Sequence, residues 1–143
     1  MENQKINFDF VFLGQSILKY QVPLDIFTSI NQIYEKNYHS LTKANTQLIG
    51  KIENEHSLFY HGKDQSKIKN HNKLPRNVTN YFLTIFKHYL NFNKIREYDL
   101  HLNSVWVNEM KQHEYNPAHV HRGMLFTGLS SVMILKLAST VGK

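Results

Sequence analysis

The spacing of the apolar residues changes along this chain, and that change restricts the folds it can adopt. After Pro23, Leu24, Phe27, Ile30 and Tyr34 recur at intervals of three and four, which predicts a helix with one apolar face. A proline suits the first turn of a helix because its missing N–H is not needed there. A second helix is predicted over residues 78–92, whose recurring apolar positions are Val78, Tyr81, Phe82, Ile85 and Tyr89.

The other segments of the first two-thirds give mixed predictions. Residues 8–22 are aromatic and β-branched and contain one glycine, which predicts two short strands joined by a turn. Residues 40–58 place Leu41, Ala44, Leu48 and Ile52 at helical spacing, which predicts a weaker helix that Gly50 interrupts. Residues 61–77 are polar and basic and are predicted to form a loop.

The last third favours strands. Residues 100–110 alternate around Leu100, Leu102 and Trp106, and Pro117 restricts Asn116 to extended backbone. The apolar run "SSVMILKLA" is typical of a buried strand. The chain of 143 residues is therefore predicted to be one α+β domain, with helices in the first two-thirds and a sheet in the last third.

Composition excludes several classes of site. The chain has no cysteine, which excludes disulfides, thiolate zinc ligands and thiol nucleophiles. The net charge is +6, but the basic residues are scattered, which favours a solvated surface over a nucleic-acid site. No apolar stretch approaches the length of a membrane span, and the N-terminus lacks a signal-peptide pattern, so a cytoplasmic protein without membrane contact is expected.

The segment "NPAHVHRG" raises the question of a metal site. If its backbone is extended, His119 and His121 project from one face, where two imidazole nitrogens can reach a single cation. The alternative is a pair of exposed or hydrogen-bonded histidines in a loop, since the chain has nine histidines. Trp106 has similar alternatives, a core residue or a stacking platform.

A longer stretch, "NSVWVNEMKQHEYNPAHVHRGMLFTGLSSVMILKL", resembles the Fe(II)/2-oxoglutarate-dependent oxygenases of marine phages and bacteria. Those proteins carry W-x-N, then N-P-x-H-x-H-x-G, then an apolar strand. The upstream segment "LIGKIENEHSL" is similar to their L-A-G-x-I-x-x-E-x-x-L segment. The matching residues of the longer stretch are Trp106, Asn108, Asn116, Pro117, His119, His121, Gly123, Ser131, Val132, Ile134 and Leu135.

The resemblance implies a fold and a chemistry. The fold is a double-stranded β-helix, a jelly roll or cupin-like core, with residues 1–97 as a supporting strand and helical region and residues 98–143 as the first part of the β-helix. The chemistry is hydroxylation of an unknown substrate with Fe(II), 2-oxoglutarate and O2. His119 and His121 are the implied metal ligands, and Trp106 and Asn108 lie near the 2-oxoglutarate pocket.

The sequence departs from the family pattern in two ways. His121 takes a position usually held by aspartate, and the chain stops before the later strands that carry a distal histidine and a 2-oxoglutarate-binding arginine in the family. The resemblance thus predicts an incomplete barrel, with a third ligand from His101, His113, Glu114 or a partner chain. The alternative function is a non-catalytic remnant or interaction module that forms homo-oligomers through an open sheet edge.

Overall fold

The computed structural model describes residues 6–12, 16–43, 50–60, 73–117 and 128–137. It is a mixed α+β structure with two α-helices and two small antiparallel sheets. The elements in chain order are β1 (Phe8–Phe12), β2 (Ser16–Tyr20), α1 (Leu24–Asn37), a 3-10 turn (Tyr38–Ser40), β3 (Thr42–Lys43), β4 (Asn54–Tyr60), α2 (Arg76–Phe92) and β5 (Ser104–Glu109).

Both predicted long helices are confirmed. Each begins directly after a proline, whose carbonyl accepts the first intrahelical hydrogen bond: Phe27 donates to Pro23 over 3.0 Å, and Thr79 donates to Pro75 over 3.1 Å. Most of the predicted apolar positions are buried or partly buried, but Leu24 is 78% exposed and Ile26 is buried in its place. The buried helical residues in the core are Ile26, Ile30 and Tyr34 on α1, and Val78, Phe82 and Ile85 on α2.

The three-stranded sheet supplies the other side of this core. Its strand order is β3-β4-β5, with β4 in the centre and every pairing antiparallel. Leu58 on β4 is fully buried among the helical residues, and Val105 and Val107 on β5 pack against the same cluster. A register irregularity between Ser57 and Phe59 interrupts the β4–β5 ladder.

The two-stranded sheet is the predicted N-terminal pair of strands. β1 and β2 pair antiparallel from Phe8 opposite Tyr20 to Phe12 opposite Ser16, and the hairpin rests on α2. The Tyr89 hydroxyl donates to the Ser16 carbonyl over 2.9 Å, and the Tyr20 hydroxyl and His88 Nδ1 share a hydrogen bond of 2.9 Å. The hairpin is thus attached to a helix that lies about seventy residues later in the sequence.

The prediction of a helix over residues 40–58 is wrong for the part of that range that the structure describes. Thr42–Lys43 and Asn54–Tyr60 are strands, whereas residues 44–49 lie outside the described ranges. Helical spacing and good helix formers misled the prediction because β4 lies between two partner strands, and tertiary pairing outweighs local propensity. The sheet is also not confined to the last third, since four of the five strands precede residue 61.

The strand predicted in "SSVMILKLA" is also wrong for the described part, because residues 128–137 contain no strand. Met133 and Leu135 do pack against the core, while Val132, Ile134 and Leu137 are exposed. The apolar run is thus only half buried, and its described residues pair with no described strand. The double-stranded β-helix and the division at residue 97 remain predictions. No helix in the described ranges has both the length and the apolar character needed to cross a bilayer.

Candidate functional site

Two of the sequence segments that carry the resemblance meet on one face of the sheet. Glu55, the glutamate of "LIGKIENEHSL", lies directly opposite Asn108, and Ser57 lies opposite Trp106. Directly opposed residues of antiparallel strands share a face, and residues two apart on one strand share it too. We call these four residues the motif face. It is the reverse of the face that carries His56 and Val107 toward the helices.

The motif face is polar and largely withdrawn from water. Glu55 is only 5% exposed and Ser57 is 9% exposed, while Trp106 and Asn108 are half-buried. The buried Asn108 Oδ1 accepts no hydrogen bond from any described residue. Carboxylate and amide oxygens at this depth are suited to hydrogen-bond donors or to a hard cation, and the indole ring supplies an apolar wall.

A close backbone contact holds the start of the histidine segment. Lys51 and Tyr115 exchange two backbone hydrogen bonds, of 2.9 and 3.0 Å. A Cβ placed on Gly50 would lie 2.5 Å from the Tyr115 carbonyl oxygen and 2.8 Å from Pro117 Cδ. Only glycine permits this approach without a backbone shift.

Residues 110–114, between the end of β5 and the Lys51–Tyr115 contact, leave the hydrogen-bond ladder of β4 and β5. Asn54 opposes Glu109 and Lys51 opposes Tyr115, so the two residues 52–53 on one side correspond to the five residues 110–114 on the other. Glu114 closes the turn, because its carboxylate accepts hydrogen bonds from the backbone N–H of Lys111 over 2.8 Å and of Glu53 over 3.0 Å. The hydrogen bond from Lys111 in particular lowers the pKa of Glu114.

The described candidates for a third metal ligand are placed elsewhere. Glu114 is held in the turn, His113 is exposed in a left-handed conformation with φ 68°, and His101 Nε2 lies 2.9 Å from the carboxylate of exposed Asp99. Within the described ranges, no three histidine, aspartate or glutamate side chains converge on one point. The predicted ligands His119 and His121 lie outside those ranges.

The opposite face of β4 carries a second cluster of polar side chains, which lies in the core. His56 is 2% exposed, and its Nδ1 shares a hydrogen bond of 3.0 Å with the Tyr34 hydroxyl. Nearby, Glu109 accepts hydrogen bonds from Tyr38 over 3.1 Å and from Asn54 over 3.2 Å. Burial lowers the pKa of His56, and burial followed by hydrogen bonding to Glu109 raises the pKa of Tyr34. This group has a structural role, since its atoms are turned into the core.

Sequence reasoning placed Trp106 and Asn108 on an adjoining strand, and the structure puts both on one face of β5. It missed Glu55, Ser57 and Gly50, because residues 40–58 had been assigned to a helix. A signal was present in "NEHSLFY", where polar Glu55 and Ser57 alternate with His56 and Leu58. Period-two alternation of that kind is typical of a strand with two different faces.

The comparisons with known proteins add no family. The chain matches no protein-family model, and neither a curated protein nor a solved structure matches it. Any function must therefore be argued from the residues and the geometry described above.

Proposed function

We propose that this chain is an Fe(II)- and 2-oxoglutarate-dependent dioxygenase that hydroxylates an unidentified substrate. The observation that carries the proposal is the motif face, where Glu55 opposes Asn108. The two segments are about fifty residues apart in sequence. Both were singled out by the resemblance, and they meet as neighbours on one sheet.

The Gly50 contact gives the proposal a second support. It joins the "LIGKIENEHSL" segment to Asn116 and Pro117, the first residues of the histidine segment. All three matching segments thus meet along β4 and its extension. A metal site needs ligands held by a rigid scaffold, and a backbone clamp two residues before His119 would provide one.

In the proposed site, His119 and His121 bind the ferrous ion, and Trp106 and Asn108 line the 2-oxoglutarate pocket. Two imidazoles suit Fe(II), and the Asn108 side chain carries an amide NH2 group that could donate to a carboxylate of 2-oxoglutarate. The bound iron, with 2-oxoglutarate and O2, would supply the oxidising power for hydroxylation. The half-buried indole of Trp106 would exclude water from one side of the pocket.

The proposal includes a double-stranded β-helix whose first part is residues 98–143, beginning with β5, and a supporting region over residues 1–97 that contains β4, α1 and α2. It does not use Glu114 or His101 as the third ligand, because Glu114 closes a turn and His101 pairs with Asp99.

Anaerobic titration tests the proposal. Fe(II) is added to the purified protein, then 2-oxoglutarate, and the weak visible charge-transfer band of the ternary complex is recorded. We expect the wild type to develop the band and a His119→Ala, His121→Ala variant to lose it, with iron affinity at least tenfold weaker, about 1.4 kcal/mol.

A matched control replaces two exposed histidines that the proposal does not use, His39→Ala and His101→Ala. This variant should bind iron as the wild type does. If both double variants bind Fe(II) equally well, the histidine pair is not the metal site and the oxygenase proposal is wrong.

A further inference from the structure

His56 is a buried titratable side chain that the proposed function does not use. It lies on the helix side of β4 and is 2% exposed. Its ring lies against the rings of Tyr34 and Tyr38, with centroids 5.7 and 4.8 Å away. These tyrosines belong to the last turn of α1 and to the 3-10 turn. We call residues 34–40 the α1 end, and it covers this histidine of the sheet.

The hydrogen bonding around His56 suits a neutral ring. A neutral imidazole has one N–H donor and one acceptor nitrogen, whereas a protonated imidazole has two donors. The Tyr34 hydroxyl shares a hydrogen bond of 3.0 Å with Nδ1, and no described residue makes a second hydrogen bond to the ring. Protonation would therefore leave a buried N–H group without an acceptor among the described residues, which is unfavourable.

Charged and titratable groups surround His56 from four described elements. They are Lys43 on β3, Glu109 on β5, Tyr34 on α1, and Tyr38 and His39 in the 3-10 turn. Burial lowers the pKa of His56, the charge of Glu109 raises it, and the charge of Lys43 lowers it. The net shift is downward, so the covered ring is neutral at neutral pH.

The α1 end is attached to the fold differently from the rest of α1. Ile26 and Ile30 fix the earlier turns of the helix in the core, whereas no residue of the 3-10 turn is buried. The Tyr38 hydroxyl connects this turn to the sheet by donating to Glu109 over 3.1 Å. The α1 end can therefore unfold locally while the core between α1 and α2 is kept.

We propose that His56 is a pH-sensitive switch whose protonation unfolds the α1 end while α2 and the rest of the sheet stay folded. In the open form, water supplies the acceptor that the covered ring lacks. The exposed ring binds its proton at the ordinary histidine pKa of about 6.5. Each pH unit below that value multiplies the ratio of open to closed molecules by up to about tenfold, until the covered ring is protonated as well.

Amide hydrogen exchange of the wild type, followed by NMR in dilute urea, tests the proposal. The Leu41 N–H donates to the Asn37 carbonyl over 3.0 Å and reports on the α1 end. Corrected for the intrinsic pH dependence of exchange, its protection should fall about tenfold between about pH 7.5 and about pH 5. Local unfolding exposes little surface, so Leu41 exchange should be nearly independent of urea, whereas exchange of buried Phe82 in α2 should accelerate with urea.

Three variants identify the group responsible. His56→Gln is uncharged at every pH and should remove the pH dependence of Leu41 protection, whereas His39→Gln, at an exposed neighbour, should retain it. Tyr38→Phe keeps the ring but loses the hydrogen bond to Glu109, and should lower Leu41 protection severalfold at both pH values.

Several results would overturn the proposal. They are equal Leu41 protection at the two pH values in the wild type, full pH dependence in His56→Gln, unchanged protection in Tyr38→Phe, and a urea dependence of Leu41 exchange as steep as that of Phe82. The switch involves neither iron nor 2-oxoglutarate, so it and the proposed function can fail separately.

Discussion

The two faces of the central strand β4 differ in the hydrogen bonding of their buried polar side chains. His56 and Glu55 are neighbours in sequence and are both nearly inaccessible to water. His56 lies among tyrosine rings on the helix side and has a tyrosine hydroxyl as its partner. Glu55 lies on the motif face, opposite an asparagine whose side-chain oxygen has no described hydrogen-bond donor.

The helix side of β4 therefore stabilises the fold, whereas the motif face contains a buried group that lowers its stability. On the helix side, apolar burial is extensive, and the polar atoms of His56 and Glu109 make hydrogen bonds of 3.0 to 3.2 Å. On the motif face, an unsatisfied buried acceptor costs about 1–3 kcal/mol. Costs of that kind are concentrated at functional sites, which is why the motif face is the proposed pocket.

The largest effect is expected on the helix side. Leu58→Ala removes a side chain with no exposed surface from the centre of the core and should lower the free energy of unfolding by about 3 kcal/mol. Urea denaturation followed by circular dichroism measures this. The exposed Val11→Ala variant is the control and should change stability little. A loss no larger than that of the control would show that Leu58 is not in a packed core.

Gly50→Ala should have the next largest effect. The new methyl group would meet the Tyr115 carbonyl oxygen at 2.5 Å, so backbone must move, at a cost of about 1–3 kcal/mol. If the proposed function is right, iron affinity should fall as well, because Pro117 leads directly to His119. Exposed Gly128→Ala is the control. Unchanged unfolding in Gly50→Ala would contradict the close contact.

A smaller, pH-dependent effect is expected from His56. Burial lowers its pKa in the folded protein, so the unfolded chain takes up a proton first as the pH falls below about 6.5. Stability should therefore decrease from pH 6.5 downward until the lowered folded pKa is reached. The His56→Gln variant should lose this part of the dependence, whereas His39→Gln should keep it. Equal acid sensitivity in His56→Gln would exclude His56 as its source.

The smallest stability effect is expected on the motif face. Asn108→Leu replaces an unsatisfied buried acceptor with an apolar group of similar size, so stability should stay within about 0.5 kcal/mol or rise. The same variant should bind 2-oxoglutarate more weakly, as judged by isothermal calorimetry with the iron-loaded protein. Phe92→Leu, a change at a 40% exposed residue of α2 that contacts the N-terminal hairpin, is the control. A large loss of stability in Asn108→Leu would show that Asn108 has a structural role instead.

The parts of the fold that the sequence predicts well are those whose burial is set by one repeating face. Leu24 to Tyr34 and Val78 to Tyr89 keep helical spacing over at least three turns, so pattern and structure agree. The hairpin was predicted from its aromatic and β-branched residues and its one glycine. In each case the local pattern and the tertiary environment favour the same conformation.

The middle of the chain was mispredicted because two requirements compete there. Residues 51–58 include good helix formers, but β4 pairs on both sides, and Gly50 is needed for the approach of Tyr115 rather than as a helix interruption. Those partners are distant in sequence, so no local pattern reveals them. For the same reason the pairing of Glu55 with Asn108 could not be predicted, although both residues belong to recognisable segments.

The attachment of the hairpin to α2 has a consequence for biosynthesis. Its anchoring hydrogen bonds connect residues separated by 65 to 77 positions. During translation, β1 and β2 leave the ribosome several seconds before the helix that supports them, given elongation at about 5–20 residues per second. During that interval Phe8 and Phe10 lack their contacts with Phe92. We therefore expect chaperones to bind this segment of the nascent chain.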